Sequence, residues 1–360
     1  MNLYLTADNV GTQTGGGAVT RHESEALKEL GSCEVWDRKR LGTPPQYLKK
    51  GDELEPWGQD NWFSYNAGTV LTQAPKLCHG YAGTFSKSIA YLKSLGTRVC
   101  WTVAAHNLEE SIAEHIKTYG HYPFHHMSDP ALFARYKQGY LDADVLVCPS
   151  QYSADIMRRY GRTGRIEIIP HGCDLPEKVA PLPSRFTVGY LGAFSPDKGL
   201  PYLLQAWKKL AYKDAVLILA GRDSAKPEVQ AWCRMHGGGN IWFAGWLDDV
   251  SDFYSSISLY VQPSATEGFG LEILEAMAHG RMALSSDSAG AREIALDGFP
   301  PCNPEAICTK INEYRSKDLV GLGLQCREIA SRYTWDEIRR RYQRVWKSMM
   351  EGDGTAEREY

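Results

Sequence analysis

Residues 260–280 read YVQPSATEGFGLEILEAMAHG. The apolar run Ile257 to Val261 ends in a loop, and a helix-patterned segment starts near Phe269. A buried-type strand followed closely by a helix is the repeating unit of a parallel sheet covered by helices. Gly268 and Gly270 flank the helix start. Glycines there let the backbone come close to a ligand, and free amides at a helix N-terminus favour an anion such as a phosphate. Glu267 stands just before the helix and Glu275 in its second turn, an E-x7-E spacing. A carboxylate accepts hydrogen bonds from two neighbouring hydroxyls, which suits a vicinal diol on a sugar or a ribose. Taken alone, the two glutamates would be ordinary charges near a helix N-terminus. Bracketing a glycine-flanked helix start, they read as one unit with a diphosphate site and two hydroxyl clamps. Glu272 between them reads as a solvated first-turn carboxylate.

Outward from this stretch the same alternation continues. Strands are expected at Leu3 to Ala7, Thr97 to Ala105, Val145 to Pro149, Ile166 to Ile169, Phe186 to Leu191, Ala215 to Ala220, Ile241 to Phe243, Ile257 to Val261 and Met282 to Ser285. Helices are expected at Phe85 to Leu95, Ser153 to Tyr160, Leu200 to Ala211 and Leu271 to His279. This is an α/β pattern. HGCDLPEKVAPLPSR, with Pro176, Pro181 and Pro183, breaks it and reads as a linker. Each half restarts with a strand and a glycine-containing turn, Gly11 to Gly17 in the first and Gly192 to Gly199 in the second. The expected architecture is two Rossmann-like domains facing each other across a cleft, 1–172 and 186–333, joined by 173–185. Ligands of such sheets sit outside the carboxyl ends of the strands. A last helix, Asp336 to Met350, follows Thr334 and Glu337 in capping-box spacing and carries Ile338, Tyr342, Val345, Trp346 and Met349 on one side. With its tail it makes a segment 334–360, expected to pack back toward the N-terminal domain.

Composition narrows the function class. With 40 basic and 43 acidic residues the net charge is −3, which argues against whole-chain attraction to nucleic acid. The nine cysteines include no C-x-x-C pair and several lie in apolar runs, as expected of reduced core residues in a cytoplasmic protein. MNLYLTADN lacks a basic n-region, and no run approaches the roughly 20 apolar residues of a membrane span. Peripheral contact with a membrane stays open.

EGFGLEILEAMAHG resembles the signature of the retaining GT-B glycosyltransferases of family 4. ADVLVCPSQYS and IEIIPHGCD are similar to that family's end of the first domain, and VGYLGAFSPDKGLPYLLQAW to its entry into the second. LILAGRD and IWFAGWLDD are similar to the strand-turn units that follow. The resemblance implies a transferase that moves a sugar from a UDP- or GDP-linked donor to a glycan, lipid or small-molecule acceptor, with retention of anomeric configuration and no metal or other cofactor. It implies that Glu275 holds the ribose hydroxyls and Glu267 stands near the donor sugar. The amides of Phe269, Gly270 and Leu271 would face the sugar and distal phosphate. Lys198 would reach the diphosphate. The family carries an arginine directly after the first glycine of that turn, where this chain has Ala193; Arg222 is the candidate substitute. In the first domain Gly15, Gly16 and Gly17 resemble a flexible loop beside the diphosphate, and His106 a histidine near the donor sugar. Ser264, Trp246 and Leu247 are further candidates near donor and base.

Other signals carry less. Asp142 and Asp144 form a D-x-D string, but at a helix-to-strand junction they read as turn and capping residues. His121, His125 and His126 lie around Pro123 with no cysteine nearby and read as a surface loop, not a zinc site. The basic clusters Arg158 to Arg165 and Arg339 to Arg344 read as solvated faces. A nicotinamide-dependent oxidoreductase needs G-x-G-x-x-G, and GGGAVT at 15–20 lacks the third small residue. A sugar-nucleotide epimerase, or a protein that binds sugar nucleotides without turnover, remains the nearer alternative, because Ala193 removes a cation. Trp57, Trp62, Phe63 and Tyr65 form either a stacking surface for an acceptor or the underside of a long loop.

Overall fold

The computed structural model describes residues 1–6, 10–11, 15–37, 40, 71, 73–81, 86–103 and 137–351. His106, the histidines at 121–126 and the aromatic residues at 57–65 lie outside them. The described residues fall into two compact units. The first holds the described residues up to 103, residues 137–171 and a C-terminal helix; the second holds Gly172–Thr334.

In the first unit, strands β1 (Asn2–Thr6), β2 (Cys33–Trp36), β3 (Leu77–Tyr81), β4 (Arg98–Thr102), β5 (Val145–Cys148) and β6 (Arg165–Ile168) form a parallel sheet in the order β2-β1-β3-β4-β5-β6. Every residue of β1, β3 and β5 is buried, whereas the edge strands β2 and β6 are mostly half-buried. Central parallel strands are covered on both faces and read as continuous apolar runs. The helices are α1 (Gly15–Lys28), α2 (Ser86–Ser94) and α3 (Gln151–Arg159).

The second unit has β7 (Thr187–Leu191), β8 (Val216–Ala220), β9 (Ile241–Gly245), β10 (Leu259–Gln262), β11 (Met282–Ser286) and β12 (Asp297–Phe299), again parallel, in the order β12-β11-β10-β7-β8-β9. Its helices are α4 (Leu200–Leu210), α5 (Pro227–Gly237), α6 (Ser251–Ser255), α7 (Leu271–Ala278), α8 (Pro304–Arg315) and α9 (Leu319–Ala330). Counted within the unit, the order reverses between its first strand, β7, and its fourth, β10. That neighbouring pair is the topological switch point, where the loops leaving the two strands diverge and open a crevice. The turn with Lys198 follows β7 and the E-x7-E stretch follows β10.

The helix α10 (Trp335–Glu351) belongs to the first unit. Ile338, Tyr342, Val345, Trp346 and Met349 are buried, the stripe its sequence predicts. Arg339 pairs with Glu25 of α1 at 3.1 Å, and Gln343 donates to the Ala26 carbonyl.

Several expectations are corrected. Gly15, Gly16 and Gly17 are not a loop but the first turn of α1. The downstream residues decide this, since Val19, Ala26 and Leu27 bury one face, and first-turn amides have no intrahelical partner to lose. Strands β2, β3 and β12 had no counterpart in the sequence pattern. The segment after His171 is held against the rest of the second unit. Cys173 bridges Thr334, Arg327 donates to the Pro176 carbonyl, and Arg281 donates to those of Ala180 and Pro181. All nine cysteines are free thiols.

Candidate functional site

Lys198 is delivered to the site by local backbone chemistry. It ends a short 3-10 turn, Pro196–Lys198, and is followed by Gly199 in the left-handed region at φ +67°. A Cβ on Gly199 would lie 1.9 Å from the Pro263 carbonyl oxygen, so only glycine lets the β7 turn press against the loop leaving β10. The carbonyl of Asp197 seals the contact by accepting the amide of Ala265 at 2.8 Å. Across this seam the Lys198 ammonium pairs with Glu267 Oε2.

Glu267 is held by its own backbone. Its amide donates to the Ser288 carbonyl at 2.9 Å and its carbonyl accepts the Gly290 amide at 3.0 Å. Phe269, 3% exposed, anchors the loop, and its carbonyl accepts the Ala291 amide. Gly270, at φ +95°, caps α7, which starts at Leu271. Among the described residues, neither the Gly270 nor the Leu271 amide has a hydrogen-bond acceptor. These amides open the helix at its positive end.

The electrostatics are lopsided toward acid. Burial disfavours the Lys198 ammonium, but Glu267, Glu272 and Asp197 outweigh it and hold the lysine charged. Burial also raises the Glu267 carboxyl; Lys198 only partly offsets this, and Glu272 adds to it. Glu275, half-buried on α7, is pushed up to about 8 by burial and by Glu272, with Tyr254 opposing through a 2.8 Å hydrogen bond. Glu272 therefore departs from the solvated role expected of it. It is half-buried, and a Cβ on Gly192 would stand 3.9 Å from its Oε1, which places the carboxylate beside the turn where Ala193 replaces arginine.

Arg222 starts the turn after β8. Its neighbour Gly221 lies so close to the Gly192 carbonyl that a Cβ would be 2.1 Å away, which brings the Arg222 and Ala193 turns together. The exposed guanidinium sits 5.2 Å from the Trp246 ring centre and makes no hydrogen bond or ion pair among the described residues. Trp246 is 42% exposed, and its indole nitrogen is 3.2 Å from Asp248 Oδ1. Leu247 packs against the core. Ser264 is buried and accepts from Gln262 at 2.8 Å.

The structure thus brings Lys198, Glu267 and Glu272 together, with the α7 amides and Glu275 on the same loop-helix unit. Arg222 joins Trp246 beside the Gly192 turn. Gly15, Gly16 and Gly17 belong to the other unit, and His106 is outside the described residues. Tyr254, the fixing partner of Glu275, and the Asp197 carbonyl had no signal in the sequence, because each acts through a contact remote along the chain. Asp142 and Asp144 serve structure. Asp142 accepts from Gln138, while Asp144 accepts the Val99 amide at 2.8 Å and pairs with Lys93. Among the described residues no His, Cys, Asp or Glu side chains group as metal ligands, and no helix is long and apolar enough to cross a membrane.

Comparison with known proteins agrees with this geometry. Residues 72–177 match the model described as Glycosyltransferase Family 4, and residues 185–316 the model described as Glycosyl transferases group 1. A lipopolysaccharide 1,2-N-acetylglucosaminetransferase of Salmonella typhimurium is 27% identical over 246 residues, 58% of this chain and 62% of that protein, so the chain spans less than two thirds of its length. Among solved structures, sucrose-phosphate synthase from Thermosynechococcus elongatus superposes with a TM-score of 0.76 at 18% identity, over 98% of this chain and 99% of that one. The Anabaena HepE protein, in complex with UDP and glucose, gives 0.70 at 16% identity, over 97% and 100%. Two parallel sheets, a glycine-capped helix after β10 and two family models that cover both halves lead to one conclusion: the chain belongs to glycosyltransferase family 4 and has the GT-B fold.

Proposed function

We propose that the protein is a retaining glycosyltransferase that moves a sugar from a UDP- or GDP-linked donor to a glycan, lipid or small-molecule acceptor. The observation that carries this is the convergence, at the β7/β10 switch point, of one held ammonium, a helix N-terminus and two spaced carboxyl groups. In this reading Glu275 takes the ribose diol and Glu267 the donor sugar. Lys198, Arg222 and the amides of Gly268, Phe269, Gly270 and Leu271 take the diphosphate, and Trp246 and Leu247 flank the base. The uridine branch is favoured by the UDP held in the Anabaena relative of this fold.

Transfer breaks the bond from the anomeric carbon to the phosphate oxygen and forms one to the acceptor oxygen on the same face. The departing phosphate takes the acceptor proton, through an oxocarbenium-like state. Charge growing on the diphosphate is met by Lys198, Arg222 and the amides, groups that need no reorganisation. Turnover should therefore persist in EDTA. Glu267 orients the sugar without forming a bond to it; a glycosyl adduct on Glu267 would refute this step.

The test is thermal stabilisation by UDP, GDP, ADP and their sugar conjugates, with NAD as control. A ligand at 100 times its Kd adds about 2.7 kcal/mol. One nucleotide class should stabilise the wild type and not Glu275→Ala. Stabilisation by NAD alone, or by no nucleotide, would overturn the reading.

A further inference from the structure

We propose that Tyr254 is a positioning residue of the donor site: its hydroxyl occupies one oxygen of Glu275 and leaves the other turned to the ligand. This rests on the reading of Glu275 as the diol-binding carboxyl.

Tyr254 lies on α6, outside the loop-helix unit that supplies the other groups, and its side chain is fully buried. Its hydroxyl is 2.8 Å from Glu275 Oε2 and 3.1 Å from the Glu272 carbonyl oxygen. Among the described residues it is the one hydrogen-bond donor to the Glu275 side chain. The ring has little freedom. It packs on His279 at 4.8 Å, edge-on to Tyr260 at 6.1 Å and to Phe253 at 5.3 Å. The buried Arg281 fixes its backbone by donating to the Tyr254 carbonyl at 2.6 Å. A donor held from every side is a pre-organised support for the group it touches.

The hydroxyl can serve Glu275 in both protonation states. Toward a carboxylate it donates to Oε2. Toward the neutral acid it accepts, and gives its own proton to the Glu272 carbonyl. The first bond is charge-assisted and the stronger of the two, so the tyrosine favours the carboxylate. Two diol hydroxyls need acceptors, and a carboxylate has them to spare where the neutral acid does not. The groups facing Glu275 act in the other direction or not at all. Glu272 on α7 and Asp174 on the joining segment raise its carboxyl, and the thiol of Cys173, Tyr260 and His279 complete its surroundings. Tyr254 is thus the group that keeps the ligand-binding form within reach near neutral pH.

The experiment titrates binding of UDP-glucose and GDP-mannose to the full chain by calorimetry from pH 6 to 8.5. Each phosphate of these probes carries one ester and one anhydride linkage and keeps a single, strongly acidic oxygen, with no proton to lose in that range. For the wild type, affinity should rise with pH. Tyr254→Phe keeps the ring and its packing; affinity at pH 7 should fall on the order of tenfold, with the rise moved to higher pH. Glu275→Gln should bind weakly with no rise. A Tyr254→Phe protein that loses thermal stability but keeps the wild-type rise overturns the positioning role and leaves the donor reading standing. No binding of either probe to the wild type at any pH overturns the donor reading, and this proposal with it.

Discussion

Each unit buries one carboxylate against a basic side chain, and the two arrangements are built in opposite ways. In the first unit, Glu23 of α1 meets His79 of β3 at 3.3 Å, with both side chains at most 1% exposed. Glu23 also accepts from Tyr4 at 2.7 Å and from Thr102 at 2.8 Å. Every nearby polar group gives Glu23 a proton to accept, and no second carboxylate intrudes among the hydrogen-bonding partners. In the second unit, Lys198 and Glu267 are each 17% exposed, and Glu272 and Asp197 crowd the same ammonium. A saturated buried pair has nothing left to offer a ligand. An acid-rich, partly open pair has acceptors awaiting hydroxyls and an ammonium with hydrogens to spare. The difference separates a pair that holds the fold from one that can hold a substrate.

The sharpest way to break the comparison is to remove Glu23. Glu23→Ala leaves His79 and Tyr4 without their acceptor in a closed interior and, at about 1–3 kcal/mol for each unsatisfied group, should cost several kcal/mol in urea denaturation. Burial raises the Glu23 carboxyl, but His79 foremost, with bonds from Tyr4 and Tyr342, prevails and holds it below the ordinary carboxylate value. The sign follows. Its contribution is complete above the unfolded pKa and is lost as pH falls through the lower folded one. The variant's stability should therefore fall less steeply in acid than the wild type's. Nucleotide affinity of the folded fraction should not change.

Lys198→Ala should do the reverse. Loss of one pre-organised charge at a departing diphosphate costs about 2.7–4 kcal/mol in kcat/KM, a factor of 10²–10³. Stability should drop by only about 1–2 kcal/mol, between the values for exposed and buried pairs. Donor turnover together with urea denaturation, measured on both variants, reads the contrast. If Lys198→Ala loses as much stability as Glu23→Ala and keeps its turnover, the two pairs are of one kind.

The second of these pairs was far more legible than the first. Lys198, Glu267 and Glu275 lie in short segments whose glycines and strand-helix alternation are local, so their spacing could be read directly. Glu23 and His79 come from remote elements that only the sheet brings together. β3 itself, LCHGY, carries a histidine and a glycine that mask a strand, although all five of its residues are buried. β2 and β12, of four and three residues, are too short to show a period. The glycines at 15–17 suggested a loop because their own freedom was weighed without the buried face that follows. Glu272 looked solvated because a helical position gives no hint of the Gly192 turn across the crevice. Register, partner and burial are tertiary facts, and where one of them decides a residue's role, the pattern along the chain is silent.

The smallest effect tests the saturation of the first pair most directly. Trp346 of α10 places its indole nitrogen 3.3 Å from His79 Nδ1. An indole N–H only donates, so the contact makes Nδ1 an acceptor and leaves the imidazole proton on Nε2, facing Glu23. Burial also disfavours the imidazolium, whereas Glu23 favours it strongly enough to lift His79 to about 9. The two indications conflict, and the donor-only indole decides for a neutral ring with each nitrogen satisfied. Trp346→Phe removes that constraint; the lost neutral hydrogen bond costs about 1 kcal/mol of stability, and the smaller ring at this fully buried position adds to it. His79 should then take a second proton and become a true ion-pair partner of Glu23. Its contribution would be complete below the unfolded histidine pKa and lost as pH rises through the raised folded value. Nitrogen NMR of the ring at pH 7 should show one protonated nitrogen in the wild type and two in Trp346→Phe. Two protonated nitrogens in the wild type would mean that the indole does not donate to His79, and that the first pair owes its place in the fold to charge rather than to saturation.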